Sequence, residues 1–191
     1  MAQRTRGNVK EKLILNGIEE MSVFGVQEFS VRRVAQKSGV SCAAPYKHFK
    51  DRRGYVAAII EYVNEQWYER QEQILSACTG GLREQIVEIV VGYVRFLVEK
   101  PWFRSILMLK DEEFDNIYHK SRGQMSSRSQ RLEAEFFAAS GWDQEKMKRK
   151  LHIVRALLFG TVFLIETGEL TFDDQVLETI RMTVDREFDL P

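Results

Sequence analysis

Apolar residues recur three and four positions apart through almost the whole chain, the spacing that lays them along one face of an α-helix. Val9 to Phe24 carries Ile14, Ile18 and Met21 in this way and stops at Gly25, a left-handed C-cap position. A long helix is predicted from about Arg52 to Gly80, with Val56, Ile59, Ile60, Val63, Trp67 and Ile74 on one face. Leu82 to Lys100 repeats the pattern through Ile86, Val90, Tyr93, Val94 and Leu97, and Pro101 ends it. Trp102 to Lys110 reads as a short apolar helix, 111 to 121 as acidic and ambiguous, and Arg122 to Ser140 as a helix turning Leu132, Phe136 and Phe137 inward. Asp143 opens the next helix, to about Gly168. Thr171 with Asp174 three residues on resembles a capping box for a final helix carrying Val176, Leu177, Ile180, Val184 and Phe188. The prolines are only Pro45, Pro101 and Pro191, no convincing alternating stretch marks a strand, and no Asn-Gly or Asp-Gly marks a hairpin. The pattern predicts an all-α chain of about nine helices.

Residues 30 to 52 depart from these long periods. Ser30 is placed to cap a short helix that buries Val34 and Ala35, Gly39 makes a tight turn followed by inward Val40, and Ser41 is placed to cap a second short helix. Tyr46, Lys47 and His48 would face outward from that second helix, while Phe49 reads as a core aromatic. Two short helices around a glycine turn, the second basic and aromatic, are the pattern of a helix-turn-helix, here at about 30–49.

Charge sharpens this picture. The 191 residues balance to zero net charge, yet residues 1–55 hold 11 Lys and Arg against 5 Asp and Glu, a surplus of +6, which the remaining residues cancel with 17 against 23. A basic head on an acidic body orients toward polyanions such as DNA. Hydrophobic residues at 44% allow a full core, which argues against disorder. Cys42 and Cys78 stand far apart and suggest neither a disulfide framework nor a zinc site, so a reducing compartment is expected, with no metal and no cofactor. Residues 1–12 lack an apolar segment, and the run Ala156 to Ile165 is about half of the ~20 residues a membrane span needs, so a soluble cytoplasmic protein is expected.

The short side chains of Cys42, Ala43 and Ala44 would let the start of the second helix approach a groove. Tyr46, His48, Lys47, Lys50 and Arg52 offer donors and charge to phosphates, and Arg32 is the leading candidate for a bidentate guanine contact, worth ~1–3 kcal/mol of discrimination. Phe29-Ser30-Val31-Arg32-Arg33-Val34-Ala35, then Ser38-Gly39-Val40-Ser41, then Tyr46-Lys47-His48-Phe49-Lys50-Asp51-Arg52 resembles the N-terminal DNA-binding domain of the TetR (tetracycline-repressor-like) family over about residues 8 to 55. The resemblance implies a homeodomain-like three-helix DNA-binding domain over residues 1–51 and a helical effector-binding and dimerisation domain over 52–191. It puts Ser30, Ser41, Tyr46, His48 and Arg52 at phosphate-holding positions and Arg32, Cys42, Ala43, Ala44 and Lys47 near bases. Cys42 and Ala43 cannot make strong base hydrogen bonds, so the bases read there stay open.

The resemblance also implies a homodimer whose last two helices pair with the partner's. Leu157 to Ile165 is apolar on every side, which lets one face pack at home and another on a second subunit, and Leu158, Phe159, Val162, Ile165, Ile180 and Val184 are the dimerisation candidates. A pocket for a small apolar or aromatic effector is implied in the C-terminal region, with Phe96, Trp102, Phe103, Met108, Phe114, Tyr118, Met125 and Phe137 as candidate lining. The expected function is a ligand-responsive transcriptional regulator, most simply a repressor, that binds a roughly palindromic double-stranded DNA operator as a dimer. The alternatives are a helical adaptor that binds only protein and, below it, an enzyme, for which the chain has no Gly-rich phosphate loop, no HExxH and no spaced Cys/His set.

Overall fold

The computed structural model describes the backbone of residues 2–101, 103–104 and 115–190, and the side chains of 9–101, 103–104 and 128–190. Among the described residues every regular element is helical: α1 (Ala2–Phe24), α2 (Val31–Lys37), α3 (Ala44–Phe49), α4 (Arg52–Ala77), α5 (Leu82–Glu99), α6 (Asp115–Ser140), α7 (Gln144–Glu166) and α8 (Asp174–Glu187). These eight stand close to the nine expected. The short helix expected over Trp102 to Lys110 lies mostly outside the described residues, and α6 begins at Asp115 rather than Arg122.

The chain divides into two compact units, Met1–Gln66 with Pro101–Gln124, and Trp67–Lys100 with Met125–Pro191. The first unit therefore takes in the start of α4, where the sequence suggested a boundary at 51/52. The reason is packing: Tyr55, Val56 and Ile59 of α4 are fully buried, and a Cβ on Gly17 of α1 would come 2.7 Å from the Ile59 side chain. Leu13, Ile14, Ile18 and Met21 of α1, with Val34 and Ala35 of α2, complete this core as their spacing predicted.

In the second unit α5 packs against α7 and α8. Ile86, Val94 and Leu97 of α5, Leu158 and Val162 of α7, and Leu177, Ile180 and Val184 of α8 are buried, each worth ~1.5–3 kcal/mol as apolar surface removed from water. Trp67 packs on Tyr93 and Phe96 with ring centroids 4.7 and 5.2 Å apart. Ion pairs fasten the edges of α8 to α5. Arg83 bonds Asp185 at 2.6 Å and Asp189 at 2.7 Å, and Arg181 bonds Glu88 at 2.6 and 3.0 Å.

Two expected caps belong to other residues. Asp173, not Thr171, caps α8, its carboxylate accepting from the Val176 amide at 2.9 Å, because Thr171 lies too far upstream for its hydroxyl to reach the first turn. Ser41 does not cap α3, which begins at Ala44 with no side-chain cap. Pro45 is tolerated only in the first turn, so the helix starts beside it and Ser41 is left in a turn, its carbonyl accepting from the Ala44 amide at 2.9 Å.

The dimerisation candidates also need correction. Leu158, Val162, Ile180 and Val184 are sealed in this chain's own core, none more than 5% exposed, so they are closed to a second subunit. Helical periodicity turned them inward together with Thr161. Phe159, at 41% exposed, keeps an open side chain, and Ile165 is half-buried.

Candidate nucleic-acid interface

Ser30 caps α2, its hydroxyl accepting from the Arg33 amide at 3.3 Å, so that oxygen is committed to the fold. At the other end Gly39, at φ 66°, turns the chain through the left-handed region, and the Val40 amide bonds back to the Ala35 carbonyl at 3.1 Å. Asn16 of α1 reaches across to the Ser38 hydroxyl at 2.8 Å and ties the turn to the longer helix. The turn that follows α2 is thus held by both local and distant bonds.

An aromatic platform supports α3 from below. Phe49 stacks flat on Tyr55, centroids 4.0 Å apart and planes within 9°, and Phe29 meets the same ring edge-on at 5.2 Å. The Tyr55 hydroxyl donates to the Leu13 carbonyl at 2.7 Å, and burial pushes its proton loss well above the ordinary phenol range. After α3, Lys50 takes φ 65°, and Asp51 caps the start of α4 by accepting from the Gly54 amide at 2.7 Å. A Cβ at Gly54 would collide with the Phe49 carbonyl oxygen, so the α3–α4 corner closes this tightly only with glycine.

On this scaffold the candidates separate by exposure. Arg32, Ser41, Cys42, Ala43, Tyr46, Lys47 and Lys50 are exposed, Tyr46 at 52%, while Ser30, Ala44, His48 and Arg52 are half-buried. Arg33, beside Arg32 in sequence, faces the fold: its Nε bonds the buried Glu20 carboxylate at 2.5 Å and its guanidinium lies over the Phe24 ring. Arg52 also turns inward, donating to the carbonyls of Val26, Gln27 and Phe29, the last two at 3.0 and 3.3 Å. Sequence reading passed over exposed Gln36, which lies one helical turn after Arg32 on α2, a signal available as an i, i+4 pair. A short basic helix on a rigid base, with short side chains at its tip, matches what a major groove accepts.

Solved structures share this architecture. A TetR family transcription regulator from Marinobacter aquaeolei VT8 superposes with a TM-score of 0.78 at 18% identity, covering 98% of each chain. A TetR-like transcriptional regulator from Rhodococcus sp. RHA1 gives 0.70 at 15% identity, over 96% of this chain and 97% of that one. The transcriptional regulator FadR from Bacillus subtilis, in complex with stearoyl-CoA, gives 0.71 at 15%, over 89% and 96%. The chain has the TetR-type regulator fold. No protein-family profile and no curated protein matches its sequence.

In the second unit of this TetR-type fold a cavity of about 40 Å³ lies among α5, α6, α7 and α8. Of the eight effector candidates, Phe137 lines it, whereas Phe96 and Phe103 are fully packed core residues. Trp102, Met108 and Phe114, and the side chains of Tyr118 and Met125, lie outside the described residues. Along α7 and α8 an apolar surface stays open beyond the core, formed by Phe159, Phe163, Leu164 and Met182, with Phe163 at 61% exposed. No helix among the described residues is long and apolar enough to cross a membrane.

Proposed function

We propose that this protein is a DNA-binding transcriptional regulator of the TetR type, acting in the cytoplasm as a homodimer and responding to a small-molecule effector, most simply as a repressor. The observation that carries this reading is the α2–turn–α3 unit, which holds Arg32, Tyr46, Lys47 and Lys50 exposed on a platform fixed by Phe49, Tyr55 and Phe29. One six-residue helix covers too little DNA to bind tightly, so two heads reading half-sites ~34–36 Å apart are needed. The open Phe159, Phe163, Leu164 and Met182 surface fits the pairing of α7 and α8 with a second copy. The effector arm is supported by the stearoyl-CoA complex of the Bacillus FadR neighbour. Head spacing is then the biased quantity: an effector that favours the released arrangement by ~5.5 kcal/mol would swing an operator from 99% bound to 1%. Regulation rather than an enzymatic reaction accounts for the features described. Fluorescence anisotropy with duplex DNA over a salt series tests the reading. Affinity is expected to fall steeply as log affinity against log salt, and a salt-independent or absent interaction, as from a protein-only adaptor, would refute it.

A further inference from the structure

The start of α3 carries no side chain that can hydrogen-bond strongly to a base edge. Cys42 and Ala43 lie exposed just before it and Ala44 and Pro45 open it, while Tyr46, Lys47 and His48 follow with compact polar tips suited to phosphates. Base pairs are told apart in the major groove by paired hydrogen bonds, a guanidinium on guanine or a carboxamide on adenine. Helix α2 offers both groups. Its buried side is Val31, Val34 and Ala35, and its Arg33 and Lys37, one turn apart, are ion-paired to Glu20 and Glu19 of α1. Arg32 and Gln36, also one turn apart, stand about 100° round the helix from that pair. Both are exposed, and neither makes a hydrogen bond or ion pair with any described residue. Of the four polar side chains on this helix, two are thus bound to α1 and two are left free on the other flank.

We propose that Gln36 is a specificity-determining residue that reads adenine beside a guanine read by Arg32, so that α2 rather than the tip of α3 supplies the base hydrogen bonds of this head. The inference rests on the DNA-binding reading above. The Gln36 carboxamide donates to adenine N7 and accepts from its N6 amino group, and the Arg32 guanidinium donates to guanine O6 and N7. A rise of ~1.5 Å per residue sets the two side chains ~6 Å apart along α2, against ~3.4 Å per base pair, so each half-site should hold a G and an A about two base pairs apart. Helix α3 then acts by fit and charge: its short tip lets the backbone approach, the methyl groups of Ala43 and Ala44 suit thymine methyls, and Lys47 holds a phosphate.

The test selects duplexes with the full-length protein from a pool randomised over two helical turns, then measures anisotropy at fixed salt for the selected duplex and its single-base-pair variants. Selected half-sites are expected to share the G and the A, and replacing that A·T pair should weaken the parent about tenfold or more. Gln36→Ala should lose this discrimination, keep the discrimination at the guanine, and retain the parent's salt slope and unfolding midpoint; Arg32→Ala should do the reverse at the two base pairs. A merely structural Gln36 would instead lower affinity for every duplex alike. That uniform loss, selected sites without the paired G and A, or discrimination at the adenine unchanged in Gln36→Ala would each overturn the proposal while leaving DNA binding in place. A parent that selects no duplex at all overturns the DNA-binding reading and this inference with it.

Discussion

Removing Arg52 separates two roles that its sequence position leaves superposed. As a phosphate anchor it would contribute about 0.9 per head to the salt slope of DNA binding and little to folding. The structure turns its guanidinium onto the carbonyls of Val26, Gln27 and Phe29, the loop that joins α1 to α2 and seats the buried side chains of Val26 and Phe29. Hydrogen bonds from a charged donor contribute ~1.5–3 kcal/mol each when buried, and these three are half-exposed, so roughly 0.7 kcal/mol apiece and about 2 kcal/mol in total is expected. Arg52→Ala should therefore lower the urea midpoint, equivalent to ~4–8 °C in Tm for a chain of this size. Arg52→Lys should recover little, because the single Nζ of lysine lacks the planar guanidinium's donors on separate nitrogens, from which Arg52 reaches Phe29 through Nε and the other carbonyls through a terminal nitrogen. The assay pairs urea unfolding with a salt series of DNA anisotropy. An unchanged midpoint together with a salt slope reduced by about one per head would refute the bracing role.

Three further outcomes follow from the same geometry. Lys47→Ala, at an exposed site on α3, should leave the unfolding midpoint within ~0.5 kcal/mol of the parent and reduce the salt slope by about 0.9 per head; a large loss of stability would contradict its exposure. Phe163→Asp should yield a monomer in sedimentation equilibrium while folding normally, whereas Leu158→Ala should cost ~2–5 kcal/mol of stability as a core cavity, and a persistent Phe163→Asp dimer would remove α7 from the interface. Burial raises the folded-state pKa of Glu133, so between its unfolded and folded values the native state binds more protons and stability falls as pH rises. Glu133→Gln should accordingly be more stable than the parent at pH 7, with the difference closing toward pH 4 in urea melts; a difference independent of pH would contradict the assignment.

Local rules made much of the fold legible. The ends of α1 and α2 at Gly25 and Gly39, the cap at Ser30, and the inward faces of α1, α4 and α5 follow from backbone conformation and 3.6-residue periodicity, which act within a few residues. The cap of α8 was misplaced where Thr171 and Asp173 competed within one turn, and the cap expected of Ser41 is absent because Pro45 sets where α3 starts. Among the candidate site residues, Tyr46 and Lys47 were legible because an exposed position needs no partner. The sequence favoured Arg32 over Arg33, and both side chains are exposed; what the sequence did not carry is the place of Glu20 on α1, which gives Arg33 an ion pair.

The sequence by itself therefore determined an all-helical chain, a basic helix-turn-helix near its start and an apolar helix near its end, because helix periodicity, glycine turns and net charge are properties of neighbouring residues. The tertiary structure decided which side chains are spent on the fold. Arg33 was tied to Glu20 and Arg52 to the carbonyls before α2, Leu158, Val162, Ile180 and Val184 closed into the core, Phe163 stayed open, and Glu133 came to share a cavity with Lys150 and Glu187. Those outcomes rest on contacts between residues tens of positions apart, and no local pattern encodes which of two similar side chains meets a distant partner.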